Sequence, residues 1–169
     1  MSIRSRIAMA EPTDDAIKIT SIYCHHDGDP TCVGQTLYDH YNNPERVERL
    51  MALGDISSLH PHLSPEESAI FRYMQFPDSI RGQSCWKDLP PHSFDTPYPD
   101  VTIAYGRDRG QKNMPAETGF VSTSHTFEDT IYLLFNIYED IDWAYLYYEG
   151  IWFASHDGNL FTPLRGLLK

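Results

Sequence analysis

Residues 143–155 read WAYLYYEGIWFAS, and this stretch decides the class of fold. Aromatic and β-branched residues, which favour strands, lie on both sides of the pair Glu149-Gly150. A two-residue turn that contains Gly is typical of a β-hairpin. The sequence therefore predicts one strand over Trp143–Tyr148 and another over Ile151–Ser155, and Asn159–Lys169 follows as a short strand or tail.

The amino-terminal residues show a similar pattern. Residues 2–10 alternate polar and apolar side chains, which indicates a strand with one apolar face. A turn sequence, PTDD, occupies residues 12–15, and a second strand is predicted over Ile17–Tyr23. These two strands form the second predicted hairpin.

Helices are predicted between the hairpins. A short helix covers Val33–Tyr41, and Asn43-Pro44 begins another that Gly54 ends. Ser64-Pro65-Glu66-Glu67 has the form of a capping box and opens a helix through Met74. The clearest apolar stripe follows Ser124 or Thr126 and reaches Tyr138.

The predicted fold is a single α+β domain over residues 1–169. A strand over Val101–Tyr105, followed by a turn at Gly106–Gly110, completes the order β-β-α-α-α-β-α-β-β. We expect a mainly antiparallel sheet with helices packed on one face. Residues 76–99 are rich in proline and are predicted to be irregular.

The charge of the chain restricts its partners. The formal net charge is −11, from 24 acidic and 13 basic residues. Such a chain repels nucleic-acid phosphates and anionic membranes, so direct nucleic-acid or membrane binding is not expected. Acidity also keeps a protein in solution, and that is its more common meaning. Three cysteines without a disulfide framework or secretory signal indicate the cytoplasm.

Residues 24–32 concentrate side chains that can ligate metals or act as nucleophiles. Cys24 and His26 alternate with His25 and Asp27 along an extended chain, and each pair supplies only half of a metal site. We predict no metal and no cofactor. Cys32 precedes a helix, where a thiol pKa can fall, but no third orienting group is evident, and a small buried residue is the favoured interpretation.

A ligand site is predicted near the first hairpin. Its members are Tyr23, His25, Asp27, Arg107 and Arg109. His25 would be the acid or base, Asp27 would orient it, and the arginines would hold an anion. The alternative is that Asp108 caps the turn while the arginines pair with surface carboxylates.

The last helix and hairpin are predicted to form a partner-binding surface. No Lys or Arg occurs between Lys112 and Arg165, so the acidic residues of this stretch are expected to form a face of one sign. A charge run is more often a plain solvated face. The residues assigned to this surface are Glu128, Asp129, Glu139, Asp140, Asp142 and Glu149.

Several segments resemble a widespread group of small bacteriophage and prophage proteins. The most specific is Ile22-Tyr23-Cys24-His25 followed by Asp27-Gly28 and Pro30; other matching segments are Arg4-Ser5-Arg6-Ile7, Leu53-Gly54-Asp55-Ile56-Ser57-Ser58-Leu59, Arg107-Asp108-Arg109-Gly110 and Tyr145-Leu146-Tyr147. The chain departs from the group's pattern at His26 and Asp29, where Trp and Tyr are usual. The resemblance implies a phage accessory protein and implies no particular activity.

Three functional hypotheses follow. In the first, the protein is not an enzyme: it acts in the cytoplasm of an infected bacterium and inhibits a defence protein, for example as an anti-CRISPR, by binding it through the acidic surface. In the second, it is a small-ligand or nucleotide-binding protein, or a hydrolase, with a site at His25, Asp27 and Arg107. In the third, it is an interaction module without a dedicated site. The oligomeric state does not follow from the sequence.

Overall fold

A computed structural model describes residues 2–68, 100–124, 126–137 and 140–168. Within these residues the chain forms one eight-stranded sheet. The strands are β1 (Ser5–Pro12), β2 (Ile17–Cys24), β3 (Ile56–Ser58), β4 (Ile103–Ala104), β5 (Glu117–Val121), β6 (Trp143–Tyr148), β7 (Ile151–His156) and β8 (Thr162–Pro163). The spatial order is β4-β3-β2-β1-β6-β7-β8, and β5 also pairs with β2.

The helices are short. They are α1 (Gln35–His40), α2 (Pro44–Ala52), α3 (Tyr105–Arg109) and α4 (Thr126–Tyr132). A π-helical turn, Pro30–Gly34, precedes α1, and another, Leu133–Ile137, follows α4. Two 3₁₀ turns cover Pro65–Glu67 and Leu164–Leu167. None of the described helices is long and apolar enough to span a bilayer.

The α+β class is confirmed, but the sheet is mixed and the prediction of a mainly antiparallel sheet is wrong. Strand β1 pairs antiparallel with β2 and parallel with β6, and β2 pairs parallel with β3. The two hairpins are joined through their first strands, because β1 and β6 pair with each other in the middle of the sheet. Local sequence patterns do not encode such distant pairing.

Helices cover both faces of the sheet, whereas the sequence predicted one. On one face, Leu37 of α1 and Leu50 of α2 pack with Ile7 and Tyr145. On the other face, Leu133 and Leu134 pack with the alternate strand residues, which include Ala8, Ile19 and Leu146. Residues 5–10 of β1 are consequently all buried. Truncation of a fully buried side chain such as Ile7 to Ala costs about 2–5 kcal/mol.

Local signals at the helix ends give mixed results. Asn43 caps α2 by accepting a hydrogen bond from the Arg46 N–H at 2.9 Å, and Gly54 follows with a left-handed φ of 71°, both as predicted. The capping box at Ser64 is wrong. Ser64 makes no side-chain cap, and only the 3₁₀ turn Pro65–Glu67 forms before Ser68 becomes extended.

The remaining element predictions are partly confirmed. The predicted strand at residues 101–105 is reduced to β4, and the turn at residues 106–110 is the single-turn helix α3, which Gly110 ends with φ 64°. Strands β3 and β5 were not predicted, and β8 lies within the short strand or tail predicted over Asn159–Lys169. Residues 69–99 lie outside the described residues, and they include the proline-rich segment at 76–99 and the predicted helix from residue 69 to Met74. The complete order of elements therefore stays a prediction.

Candidate functional site

One end of the sheet collects residues from both predicted sites. Parallel strands β1 and β6 begin there, with Ser5 opposite Trp143, and antiparallel β2 ends there, with Cys24 opposite Ser5. The residues just outside these strand ends therefore meet. We call this region, which includes Arg4, His25, Asp140, Asp142 and Asp157, the Asp140 end.

Tyr23 and His25 form the closest polar pair of the predicted ligand site. The Tyr23 hydroxyl lies 2.8 Å from His25 Nδ1, and the ring centroids are 5.9 Å apart. Burial raises the pKa of Tyr23, so the phenol stays protonated and able to donate. When it donates, neutral His25 carries its own proton on Nε2. Strand β3 holds the chain here, because His25 N–H donates to the Ile56 carbonyl at 3.2 Å.

Asp27 does not occupy the orienting position predicted for it. Its backbone has a left-handed φ of 55°, and its carbonyl accepts a hydrogen bond from Val33 N–H at 3.1 Å. Its side chain is exposed, and within the described residues no hydrogen bond joins its carboxylate to His25. Tyr23 takes the position next to His25 Nδ1 instead.

The two arginines of the predicted site have different environments. Arg107 Nε and Nη2 donate to buried Asp108 at 2.8 and 2.9 Å, Nη2 also donates to the Thr102 carbonyl at 2.8 Å, and Nη1 donates to the Leu63 carbonyl. These contacts fasten α3 to the chain and leave Arg107 poorly suited to bind a ligand.

Arg109 lies nearer to the histidines. Its guanidinium carbon is 5.3 Å from the centroid of the Tyr105 ring, a cation–π distance. Burial lowers the pKa of His26, the neighbouring His25 and Arg109 lower it further, and Asp27 raises it. Arg109 is therefore coupled electrostatically to His26, the residue that follows His25.

Neither of the two described cysteines, Cys24 and Cys32, has a lowered thiol pKa. Burial raises the pKa of the Cys24 thiol to about 12, and burial also raises the pKa of Cys32, although Cys32 is exposed rather than buried as predicted. Asp29, not Cys32, supplies the cap of the following turn by accepting from Thr31 N–H at 2.9 Å. No group of three or more His, Cys, Asp or Glu side chains that could hold a metal ion occurs among the described residues.

The predicted acidic surface separates into two groups. The rings of Phe127 in α4 and Tyr148 in β6 lie 6.1 Å apart between centroids, so Glu128 and Asp129, which follow Phe127, belong to the same end of β6 as Glu149, which follows Tyr148. We call this second region the Glu149 end. Asp140 and Asp142 lie beyond the opposite end of β6, whose six residues span about 17 Å at roughly 3.3 Å per step. Glu139 lies outside the described residues.

Arg4 organises the carboxylates of the Asp140 end. Its guanidinium forms an ion pair with Asp140, and its N–H donates to Asp142 Oδ2 at 3.0 Å. Its carbonyl accepts the Asp142 N–H at 2.9 Å, and Asp157 N–H donates to the Asp142 carbonyl at 2.9 Å. The side chains of Asp140 and Asp157 nevertheless remain 78% and 61% exposed, so they present charge to solvent.

An aromatic pair borders these carboxylates, and the sequence analysis did not identify it. Trp143 stacks on His156 with centroids 4.5 Å apart, and His156 Nε2 lies 3.3 Å from the Asp157 carboxylate. A signal was present, because a two-residue turn at Glu149-Gly150 fixes the register that pairs Trp143 with His156.

Comparisons with protein-family models, with curated proteins and with solved structures gave no match to this chain. The Asp140 end and the Tyr23–His25 pair are the structural features that bear on function.

Proposed function

We propose that this protein is an accessory protein that inhibits a bacterial defence protein, for example a CRISPR effector, by covering its basic nucleic-acid-binding surface with the Asp140 end. The observation that carries the proposal is the group of exposed carboxylates at that end, in a chain of net charge −11. A partner evolved to bind phosphates presents Lys and Arg to such a surface. The phage resemblance of the sequence agrees with this role.

The composition of the Asp140 end suits a protein interface. Asp140, Asp142 and Asp157 supply charge, and the half-buried Trp143 supplies apolar area beside them. Aromatic residues are enriched in interface cores, and charged residues occupy the rim, where they steer association. The hydrogen bonds of the Arg4 backbone with the Asp142 N–H and carboxylate fix the relative positions of these groups before binding.

The first experiment is an affinity capture from bacterial lysate, with and without nuclease, read by mass spectrometry. We expect a near-stoichiometric protein that survives nuclease and that itself binds nucleic acid. A single-stranded oligonucleotide should compete with our protein for that purified partner, because both would occupy the same basic groove. Capture that nuclease abolishes, or simultaneous binding of oligonucleotide and protein, contradicts the proposal.

Matched baits make the capture specific to one end of the sheet. Asp140→Asn with Asp157→Asn and Glu128→Gln with Glu149→Gln each remove two exposed negative charges, from opposite ends. Asn tolerates the left-handed φ at Asp140 and Asp157. We expect the first bait to retrieve much less partner than the second, and equal retrieval would count against the Asp140 end.

A second candidate function rests on the Tyr23–His25 pair. The 2.8 Å contact would position His25 as an acid or base for a small anionic ligand or a nucleotide, with Arg109 rather than Arg107 as the nearby cation. Native mass spectrometry should then detect a co-purifying ligand that is lost in His25→Ala and retained in His40→Ala, an exposed control on α1. Retention in both variants, or no ligand in the parent protein, would exclude this function.

A further inference from the structure

A cavity at the outer edge of β7 lies apart from the Asp140 end and from the Tyr23–His25 pair. Its volume is about 530 Å³, within the roughly 300–1,000 Å³ of small-molecule sites. One wall comes from Tyr38 and Asn42 at the end of α1, another from Ile151 and Trp152 of β7, and the third from the carboxyl-terminal 3₁₀ turn with Arg165.

The floor of the cavity is preformed. Trp152 is almost fully buried, and its indole N–H donates to the Tyr41 carbonyl at 2.7 Å, which fixes the ring. Tyr41 is itself held by a hydrogen bond from its hydroxyl to the His60 carbonyl at 2.6 Å. Tyr38 and Ile151 remain 40% and 53% exposed, so apolar area at the rim is open to a ligand. An aromatic or branched apolar group fits this lining.

Arg165 supplies the charge that selects the ligand. It is the one charged side chain that lines the cavity among the described residues. In a chain with 24 acidic and 13 basic residues, it nevertheless makes no ion pair or side-chain hydrogen bond in the described part of the structure. A guanidinium binds a planar carboxylate with two parallel hydrogen bonds, and Asn42 adds an amide on the adjacent wall.

We propose that this cavity binds a small aromatic molecule that carries a carboxylate, with the ring against Tyr38 and Trp152 and the carboxylate on Arg165. This site is independent of the Asp140 end and of any partner bound there. Its existence would make the protein responsive to a metabolite of this chemical class.

The test is isothermal titration with 1-naphthaleneacetate and with 1-naphthaleneacetamide, which differ only in the charged group. We expect the acid to bind about fivefold more tightly, as for an exposed ion pair worth about 1 kcal/mol. Arg165→Gln should lower the affinity for the acid to that for the amide. Lys112→Gln makes the same change in net charge at an exposed residue that does not line the cavity and should keep the preference.

A third variant separates the aromatic contribution. Tyr38→Ala should weaken both compounds several-fold, because it removes one wall of the cavity. Equal affinity of acid and amide for the parent protein, a preference that persists in Arg165→Gln, or no binding of either compound would each overturn the proposal.

Discussion

Gly28 lies where the chain leaving β2 crosses the segment before β1, and Gly28→Ala should be strongly destabilising. A Cβ atom there would lie 2.8 Å from the Ile3 carbonyl oxygen and 2.9 Å from Ser5 Cβ. Neither atom can rotate away, so the backbone must separate. The same movement strains two hydrogen bonds: Gly28 N–H to the Ile3 carbonyl at 2.9 Å, and the Tyr145 hydroxyl to the Gly28 carbonyl at 2.7 Å.

The magnitude follows from these contacts. Overpacking costs about 1–3 kcal/mol, and loss of a hydrogen bond costs about 1 kcal/mol. We therefore expect Gly28→Ala to lower the free energy of unfolding by about 2–4 kcal/mol, a large part of the roughly 5–15 kcal/mol of a typical domain. Urea unfolding measures this as a lower midpoint with an unchanged slope.

Two controls identify the cause. Gly166→Ala meets no heavy atom within 4 Å and should stay within about 0.5 kcal/mol of the parent. Tyr145→Phe removes only the hydroxyl donor to Gly28 and should cost about 1 kcal/mol. If Gly28→Ala were no less stable than Gly166→Ala, the close crossing of these segments would be refuted.

Three further predictions concern charged groups. Glu67→Gln should lower the free energy of unfolding by about 1–2 kcal/mol, because the carboxylate accepts from Leu63 N–H at 2.9 Å and pairs with Arg49 at 2.9 Å; urea unfolding measures it, and an unchanged midpoint is the contrary result. Burial raises the pKa of Asp55 in the folded state, so the contribution of Asp55 to the free energy of unfolding falls as pH rises above 3.8. Asp55→Asn should therefore gain stability relative to the parent between pH 4 and pH 7, as urea unfolding at several pH values measures. A difference in free energy of unfolding that stays constant with pH would contradict this. Burial lowers the pKa of His26, so an NMR titration should give a pKa below 6.5 for this residue, and Arg109→Gln should raise it. A His26 pKa that is the same in Arg109→Gln and in the parent would show that the two side chains do not interact.

The hairpins were predictable because their signals are local. At the second turn, Glu149 and Gly150 both have left-handed φ values, 49° and 81°, which a two-residue turn between twisted strands requires. Helix α2 was equally predictable, since Asn43 and Gly54 mark its ends by side-chain and backbone chemistry.

There are physical reasons why the sequence did not predict every strand or the mixed sheet. Strand β5 exposes most of its residues and contains Gly119, whose missing side chain admits Leu133 so closely that a Cβ would lie 2.8 Å from it. Such a segment lacks an apolar alternation. The parallel pairing of Ile7 with Tyr145 joins residues far apart in the sequence, and no local pattern specifies it.

Contacts of the candidate site between residues close in sequence were predicted, and contacts between distant residues were not. Tyr23 and His25 are two residues apart, and they do come together. Arg107 was predicted to bind an anion, but its guanidinium donates to the adjacent Asp108 and to the Leu63 carbonyl, and the contact with distant Leu63 has no local sequence signal. The acidic residues follow one another along the chain, yet α4 and β6 carry them to opposite ends, so that Glu149 and Asp140 belong to different surfaces.

The most direct test of the inhibitor proposal is the affinity of the purified complex as a function of salt, for the two matched double variants. Each exposed ion pair is worth about 0.2–1 kcal/mol, so Asp140→Asn with Asp157→Asn should weaken binding roughly 2- to 30-fold and flatten its salt dependence. Glu128→Gln with Glu149→Gln should stay within about twofold of the parent. A complex that salt does not weaken, or one that both double variants weaken equally, would contradict binding through the Asp140 end.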